Sequence, residues 1–346
     1  MRSIGVNYDT GLDLEGRSTR SVFDRETARR ELRTIAGELH AEAVRVTGSH
    51  PERLAVAGAE ALEAGLELWY SPIAMDLEPD ELVTFLTGAA VDAERLRVEA
   101  EQHAAQGVGE GAGLEVVLIL GFEISLSCKG FVPGETMGER IATMMDPGTW
   151  SDPVMMGRMM AGLQRWGVVQ EQLAAAAREV FGGRITYAAG MWEEVNWDLF
   201  DFVAVDAYRD AQNAATFRDE LAGRLKWGKP LVVTEFGCCT FRGAADQGGT
   251  GWLIVDRSVD PPAIKGEYVR DEGEQVRYLR ELAATFEEVG VEAAFWFSFA
   301  GYELPHRADD PMHDLDLSAY GLVAVDPDGG WRPKQVFHAL GELNGS

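Results

Sequence analysis

One rhythm runs the length of the chain. A short, almost wholly apolar run gives way to a stretch of helical periodicity, and then another apolar run begins. The runs are SIGVNYD (3–9), EAVRVTG (42–48), LELWYSPIAM (66–75), LEVVLILGFEIS (114–125), ITYAAGMW (185–192), FDFVAVDAY (200–208), PLVVTEFG (230–237) and VEAAFWFSFAG (291–301). Between and after them, residues 25–41, 51–65, 79–107, 153–181, 215–228, 272–290 and 333–345 carry the apolar spacing of amphipathic helices. Strands that are apolar on both faces belong to parallel sheets, and parallel strands need a crossover between them, usually a helix. About eight such units in 346 residues predict a (β/α)8 TIM barrel. The competing architecture, a doubly wound open sheet, usually carries a glycine-rich phosphate turn after its first strand, and VNYDTGLDLEG is not one. There is no internal repeat and no linker, so residues 1–346 are read as one catalytic barrel domain. Its irregular insertions follow strands 4 and 7, at 126–152 and 238–271. In a barrel both would lie on the C-terminal face, where active sites are built.

Composition removes several function classes. A net charge of −26 repels nucleic acid and anionic lipid, so neither a nucleic acid nor a membrane is expected as a partner. MRSIGVNYDTG lacks the apolar core of a secretory signal, and no apolar stretch is long enough to span a bilayer. The three cysteines, Cys128, Cys238 and Cys239, make neither a disulfide framework nor a zinc spacing. Together these lead to the expectation of a cytoplasmic protein.

In a barrel, polar residues at the C-terminal ends of the strands converge. Here they are Asn7 and Tyr8 from the first run, Arg45 from the second, Trp69 from the third and Glu123 from the fourth. Trp192 and Glu193 follow the fifth, Asp206 and Tyr208 end the sixth, Glu235 ends the seventh, and Trp296 lies in the eighth. This set is rich in carboxylates and aromatics. It has no Ser/His/Asp arrangement in a recognisable context, no phosphate cradle and no HExxH-type metal pattern, so neither a cofactor nor a metal is expected. Two carboxyls across a bond, with aromatic rings beneath, are the apparatus of glycoside cleavage: one protonates the leaving oxygen, the other attacks the anomeric carbon or activates water.

The fourth run ending on Glu123 and the seventh ending VVTEFG resemble the clan A retaining glycoside hydrolases, notably their cellulase- and mannanase-like members. The resemblance implies Glu123 as acid/base and Glu235 as nucleophile. DFVAVDAY is similar to the clan's sixth strand, which implies that Tyr208 contacts the nucleophile. AVRV is similar to the second, which implies that Arg45 braces it. AAFWFSF is similar to the eighth, which implies that Trp296 floors the sugar site. Two positions depart from the clan pattern. Phe122 stands where the clan has the asparagine that holds the sugar 2-hydroxyl, so that bond is either lost or supplied from elsewhere, by Asn7 or Asn196. Asp206 stands where the clan usually has histidine. The opening SIGVNYDTG is also similar to actinobacterial chains labelled abortive infection proteins.

The expected activity is retaining hydrolysis of a small glycoside or oligosaccharide. The alternatives are a transglycosidase, isomerase or cyclase of a sugar-derived metabolite, and a non-catalytic carbohydrate-binding or phage-defence protein. Phe122 is expected to desolvate Glu123 and raise its pKa, while Arg45 and Tyr208 keep that of Glu235 unraised. Glu193 or Glu194 is the alternative acid. Cys238 and Cys239 read as buried small residues, and VMMGRMMAGLQRW (154–166) as core or soft rim.

Overall fold

The computed structural model describes residues 3–14, 16–106 and 114–345. Residue 107, the end of the helix expected from 79, lies outside them. Eight parallel strands close into a barrel: β1 (Gly5–Asp9), β2 (Ala43–Gly48), β3 (Glu67–Pro72), β4 (Val116–Phe122), β5 (Ile185–Gly190), β6 (Val203–Asp206), β7 (Leu231–Phe236) and β8 (Ala293–Trp296). Each pairs with its chain neighbours, and β8 closes the ring on β1. The TIM barrel expected from the rhythm is therefore present. The helices packed between and after the strands are α1 (Arg25–Gly37), α2 (Pro51–Glu63), α3 (Pro79–Gln106), α4 (Pro153–Val180), α5 (Phe217–Arg224), α6 (Glu272–Val289) and α7 (Gln335–Asn344); the stretch expected to be irregular at 126–152 is partly helical, at Met137–Met145 and Pro147–Ser151. β5 reaches β6 through only a short 3-10 turn, Trp197–Leu199. Among the described residues no helix is long and apolar enough to cross a membrane.

Two apolar layers follow from the alternation of side chains along each strand. The inward set fills the barrel: Trp69, Val117, Ile119, Phe202, Val232 and Phe295 are packed together with small residues such as Ala43 and Ala188. Trp69 is wedged between Phe202 and Phe295, with ring centroids 5.0 and 5.2 Å away, so the barrel is a packed core. The outward set, which includes Tyr8 and Trp296, packs against the helices.

The fourth apolar run does not stay extended to residue 125. β4 ends at Phe122, and Ile124–Ser127 forms one helical turn. The break is built from two left-handed residues, Gly121 (φ 92°) and Glu123 (φ 37°), beside a register shift against β5. Glycine adopts that region freely, whereas glutamate does so at a cost of about 1–2 kcal/mol. Beyond it, the insertion is tied down by the buried guanidinium of Arg140. This donates to the carbonyls of Leu126 (2.6 Å), Ser127 (3.1 Å) and Gly134 (3.1 Å) and pairs with Asp76. The methionine-rich start of α4 is less buried than a core helix: Met159 is enclosed, while Val154, Met160 and Leu163 are exposed. Cys238 and Cys239 are buried.

Candidate active site

β7 carries Glu235 to the C-terminal mouth. A register shift between Val205 and Asp206 sets Asp206 and Glu235 side by side on β6 and β7. The backbone beneath is held by two side chains. Asn7 Nδ2 donates to the carbonyls of Thr234 (3.0 Å) and Phe295 (3.3 Å), and Arg45 Nη1 donates to Thr234 O (3.1 Å). The guanidinium is oriented from its other end, where Nε donates to Ser71 Oγ (3.1 Å). That leaves Arg45 Nη1 2.8 Å from Glu235 Oε1, while Tyr208 Oη donates to Oε2 at 3.1 Å. Each carboxylate oxygen thus has its own donor.

Glu123 is set differently. Its backbone is anchored by its N–H, which donates to Ala188 O (2.9 Å), but among the described residues nothing donates to its carboxylate. It does not cap the turn it begins, and Lys129 pairs with Glu135 instead. Phe122 packs against the barrel core, 5.9 Å from the Arg45 guanidinium. Burial pushes the Glu123 carboxyl well above the usual range; the charges of Asp206, Glu193 and Glu235 add to this, and Arg45 opposes it. Asp206 is likewise pushed well up by burial and by Glu235, against Arg45. The expectation that Glu235 would stay unraised is corrected. Burial outweighs the Arg45 charge and the two hydrogen bonds, and its pKa also rises.

Glu193 is a clamp. One oxygen accepts from Ser125 N (3.0 Å), and the other accepts from Tyr187 Oη (2.8 Å) and Gly190 N (2.9 Å), which locks the Glu123 turn to the end of β5. With three donors on it and almost no exposure, it is poorly placed to give a proton to a ligand. Trp192 is open to solvent, and its indole N–H donates to Ser125 Oγ (3.3 Å). The ring lies over Gly190, where a Cβ would come within 2.4 Å of it, so any larger residue there would have to displace the ring.

Five residues expected to touch substrate lie elsewhere. Trp296 points out of the barrel, fully buried, with its ring 5.3 Å from Phe236 and its N–H on Tyr320 O (2.9 Å). Tyr8 also points outward and donates to the buried Glu31 (2.6 Å). Trp69 is core within the barrel. Asn7 is enclosed beneath Glu235, and its amide nitrogen is spent on strand carbonyls. Asn196 uses its side-chain oxygen to cap the turn at Asp198 (3.3 Å). The ring in contact with Glu235 is instead Tyr208, which meets Tyr320, which in turn meets Phe297, at centroid distances of 6.0 and 5.8 Å. Phe297 shares Phe295's parity along the chain; Tyr320 lies in a loop that carries no strand-end signal in the sequence.

A barrel with carboxyl groups gathered at its C-terminal mouth is an arrangement suited to acid–base and nucleophilic chemistry. Solved glycosidases share the fold. A family 1 β-glucosidase from Thermotoga maritima aligns with 99% of this chain and 97% of its own at a TM-score of 0.54 and 12% identity. A structure described as β-glycosidase BGL167 covers 99% and 96% at 0.53 and 13% identity. An aphid myrosinase covers 99% and 98% at 0.53 and 10% identity. The likeness is one of fold. No protein-family model and no curated protein sequence matches the chain. The similarity of SIGVNYDTG to abortive infection proteins finds no support in these comparisons.

Proposed function

We propose that the protein is a retaining glycoside hydrolase acting on a small glycoside or oligosaccharide, with residues 1–346 forming one catalytic unit. The observation that carries this reading is the unequal treatment of two carboxyls at one barrel mouth. Glu235 is gripped by Arg45 and Tyr208. Glu123 has burial and like charges against it and no donor to its carboxylate among the described residues. The first environment favours an anion, the second a proton.

The chemistry follows. Glu235 attacks the anomeric carbon as the bond to the leaving oxygen breaks, and Glu123 gives its proton to that oxygen. A covalent glycosyl ester on Glu235 results. Glu123, now ionised, takes a proton from water, whose oxygen attacks the same carbon and frees Glu235. Arg45 and Tyr208 hold the Glu235 carboxylate in position and stabilise it when it leaves the ester. Trp192, beside the Glu123 turn, offers an exposed apolar face to the leaving group. No cofactor enters these steps.

A panel of nitrophenyl and dinitrophenyl glycosides of both anomers tests the reading. At least one should be turned over, with the first-formed sugar retaining its configuration by NMR. Folded protein that cleaves none of them would end it. A retaining pair also stands about 5–5.5 Å apart, against about 6.5–9.5 Å for an inverting one. A crystal structure with a bound sugar analogue should show the shorter separation.

The third carboxyl, Asp206, favours a second reading: other acid–base chemistry on a sugar-derived metabolite. Retained-configuration hydrolysis of a simple aryl glycoside would exclude it.

A further inference from the structure

We propose that Glu193 is a positioning residue for Glu123. From the end of β5 it caps the helical turn that Glu123 begins, and so leaves the Glu123 carboxyl free for the mouth. The inference rests on the glycosidase reading above and deepens it.

The start of a helical turn leaves backbone N–H groups without a partner inside the turn. The residue just before the turn usually supplies one, its side chain folding back onto the second or third amide. Here that residue is Glu123 and the turn is Ile124–Ser127. The Glu123 carbonyl accepts from the amides of Leu126 and Ser127, both at 2.8 Å. The amides of Ile124 and Ser125 remain. Both residues are buried, so leaving either N–H unpaired is costly. The neighbouring Glu123 carboxyl is the natural acceptor, yet it makes no such bond. Glu193 takes its place. Its Oε1 accepts from Ser125 N (3.0 Å). Its Oε2 accepts from Tyr187 Oη (2.8 Å), which itself accepts from Ile124 N (2.6 Å). One carboxylate thus serves both open amides, the first directly and the second through a phenol.

The segment that carries Glu193 is itself fastened. Gly190 N–H donates to Glu193 Oε2 (2.9 Å), and Glu193 N–H donates to Gly190 O (3.0 Å). Arg224 of α5 donates to Met191 O (2.8 Å), while Trp166 and Gln170 of α4 donate to Glu194 O (3.0 and 3.2 Å). The side-chain contacts on Glu193 are all donors, which suits a carboxylate. Burial raises its pKa, and those bonds limit the rise. The same contacts account for the left-handed backbone at Glu123. A strained conformation persists only where its surroundings over-determine it. Here three consecutive amides, those of Glu123, Ile124 and Ser125, are held by acceptors from one unit of the barrel: Ala188 O, Tyr187 Oη and Glu193 Oε1. Glu193 has no spare capacity for a ligand, so its part in the reaction is played through Glu123.

Two measurements test this, and the first needs no substrate. In a crystal structure of Glu193→Ala, the Glu123 carboxyl should have turned back to accept from the Ile124 or Ser125 amide. A Glu123 that keeps its backbone, with its carboxyl still off both amides, overturns the proposal. The second is the leaving-group dependence of kcat/KM across the aryl glycosides. Glu193→Ala should lose about 10–100-fold on poor leaving groups, less than the about 10²–10⁴-fold expected for removing an acid outright. Its first step on a dinitrophenyl glycoside, which needs no proton, should stay within about threefold of wild type. An equal loss on every leaving group would mean a merely structural role, and no loss on any would mean no role; either overturns the proposal. Should Glu193→Ala not fold, Tyr187→Phe, which opens the Ile124 amide alone, decides by the same two readouts. A displaced Glu123 in a variant of a protein that cleaves no glycoside would support the cap and refute the hydrolase reading.

Discussion

The ends of β7 and β4 both carry a glutamate to the same mouth, yet they treat it in opposite ways. Glu235 stays within an extended buried strand, just past a shift in its register, and meets a donor at each oxygen, from Arg45 and from Tyr208. Glu123 stands after the strand has broken, on a left-handed backbone, with nothing donating to its carboxylate among the described residues. The β7 end spends hydrogen bonds on stabilising a charge. The β4 end spends backbone strain and desolvation on withholding one. Burial raises both pKa values, so burial alone does not separate the two roles. The presence or absence of donors does.

The largest effects should come from removing each carboxyl in turn. Glu235→Ala should lose turnover of every substrate, by on the order of 10⁴-fold or more, because no covalent intermediate can form. Glu123→Ala should lose about 10²–10⁴-fold on glycosides with poor leaving groups. The loss should be much smaller on the first step with a dinitrophenyl glycoside, which departs without a proton. Azide should then rescue Glu123→Ala to a glycosyl azide of retained configuration. Equal sensitivity of the two variants to the leaving group, or an inverted azide product from Glu123→Ala, would erase the distinction between the two ends.

A smaller effect should follow from loosening the grip on Glu235. Tyr208→Phe removes one hydrogen bond to a charged group, worth about 1.5–3 kcal/mol, or roughly 10–100-fold in kcat/KM. If Tyr208→Phe is silent in steady-state kinetics, Arg45 alone is enough to hold Glu235.

Stability against pH sharpens the contrast at the β4 end. The Glu123 pKa is raised in the folded state. Its contribution to stability is therefore fully present below the unfolded value, about 4.3, and is lost as pH rises through the folded value. Glu123→Gln cannot ionise and escapes that loss. Its Tm should exceed that of wild type by a margin that widens as pH rises above about 4.3. A margin that shrinks with rising pH would mean that Glu123 is stabilised as the anion.

The smallest test concerns the backbone alone. At position 123, with φ at 37°, the glycine variant should be more stable than the alanine variant by about 1 kcal/mol. At position 235, inside an extended strand, the order should reverse by about 0.5–1 kcal/mol. Chemical denaturation of the four variants measures both. The same order at both positions would show that the left-handed turn is not intrinsic to the β4 end.

The sequence by itself determined the barrel and the carboxyl positions at its mouth. Strand–helix alternation is a local periodic signal, and a buried strand that ends on a charge, as PLVVTEFG does, marks its own C-terminal end. Arg45 and Tyr208 were legible as polar residues on or just past strand ends, and their contact with Glu235 as what the clan resemblance implies. What the sequence did not determine was facing. Trp296 and Trp69 both lie in strands and look alike as candidate platforms, but one residue of parity sends Trp296 out to the helices beside Phe236, and depth along the strand leaves Trp69 in the packed core. A one-residue change of register exchanges the two faces of a strand. Here the register shifts near the end of β4, against β5, and near the end of β7, against both β6 and β8, where the site is built. Those shifts are settled by closure of the whole ring and by side chains distant in sequence, such as Asn7 and Arg45 on the Thr234 carbonyl. The same holds for the left-handed turn at Glu123, which is locked by the Glu193 clamp 70 residues later. Only tertiary contacts fix such features, because each partner in them is supplied by a different unit of the barrel.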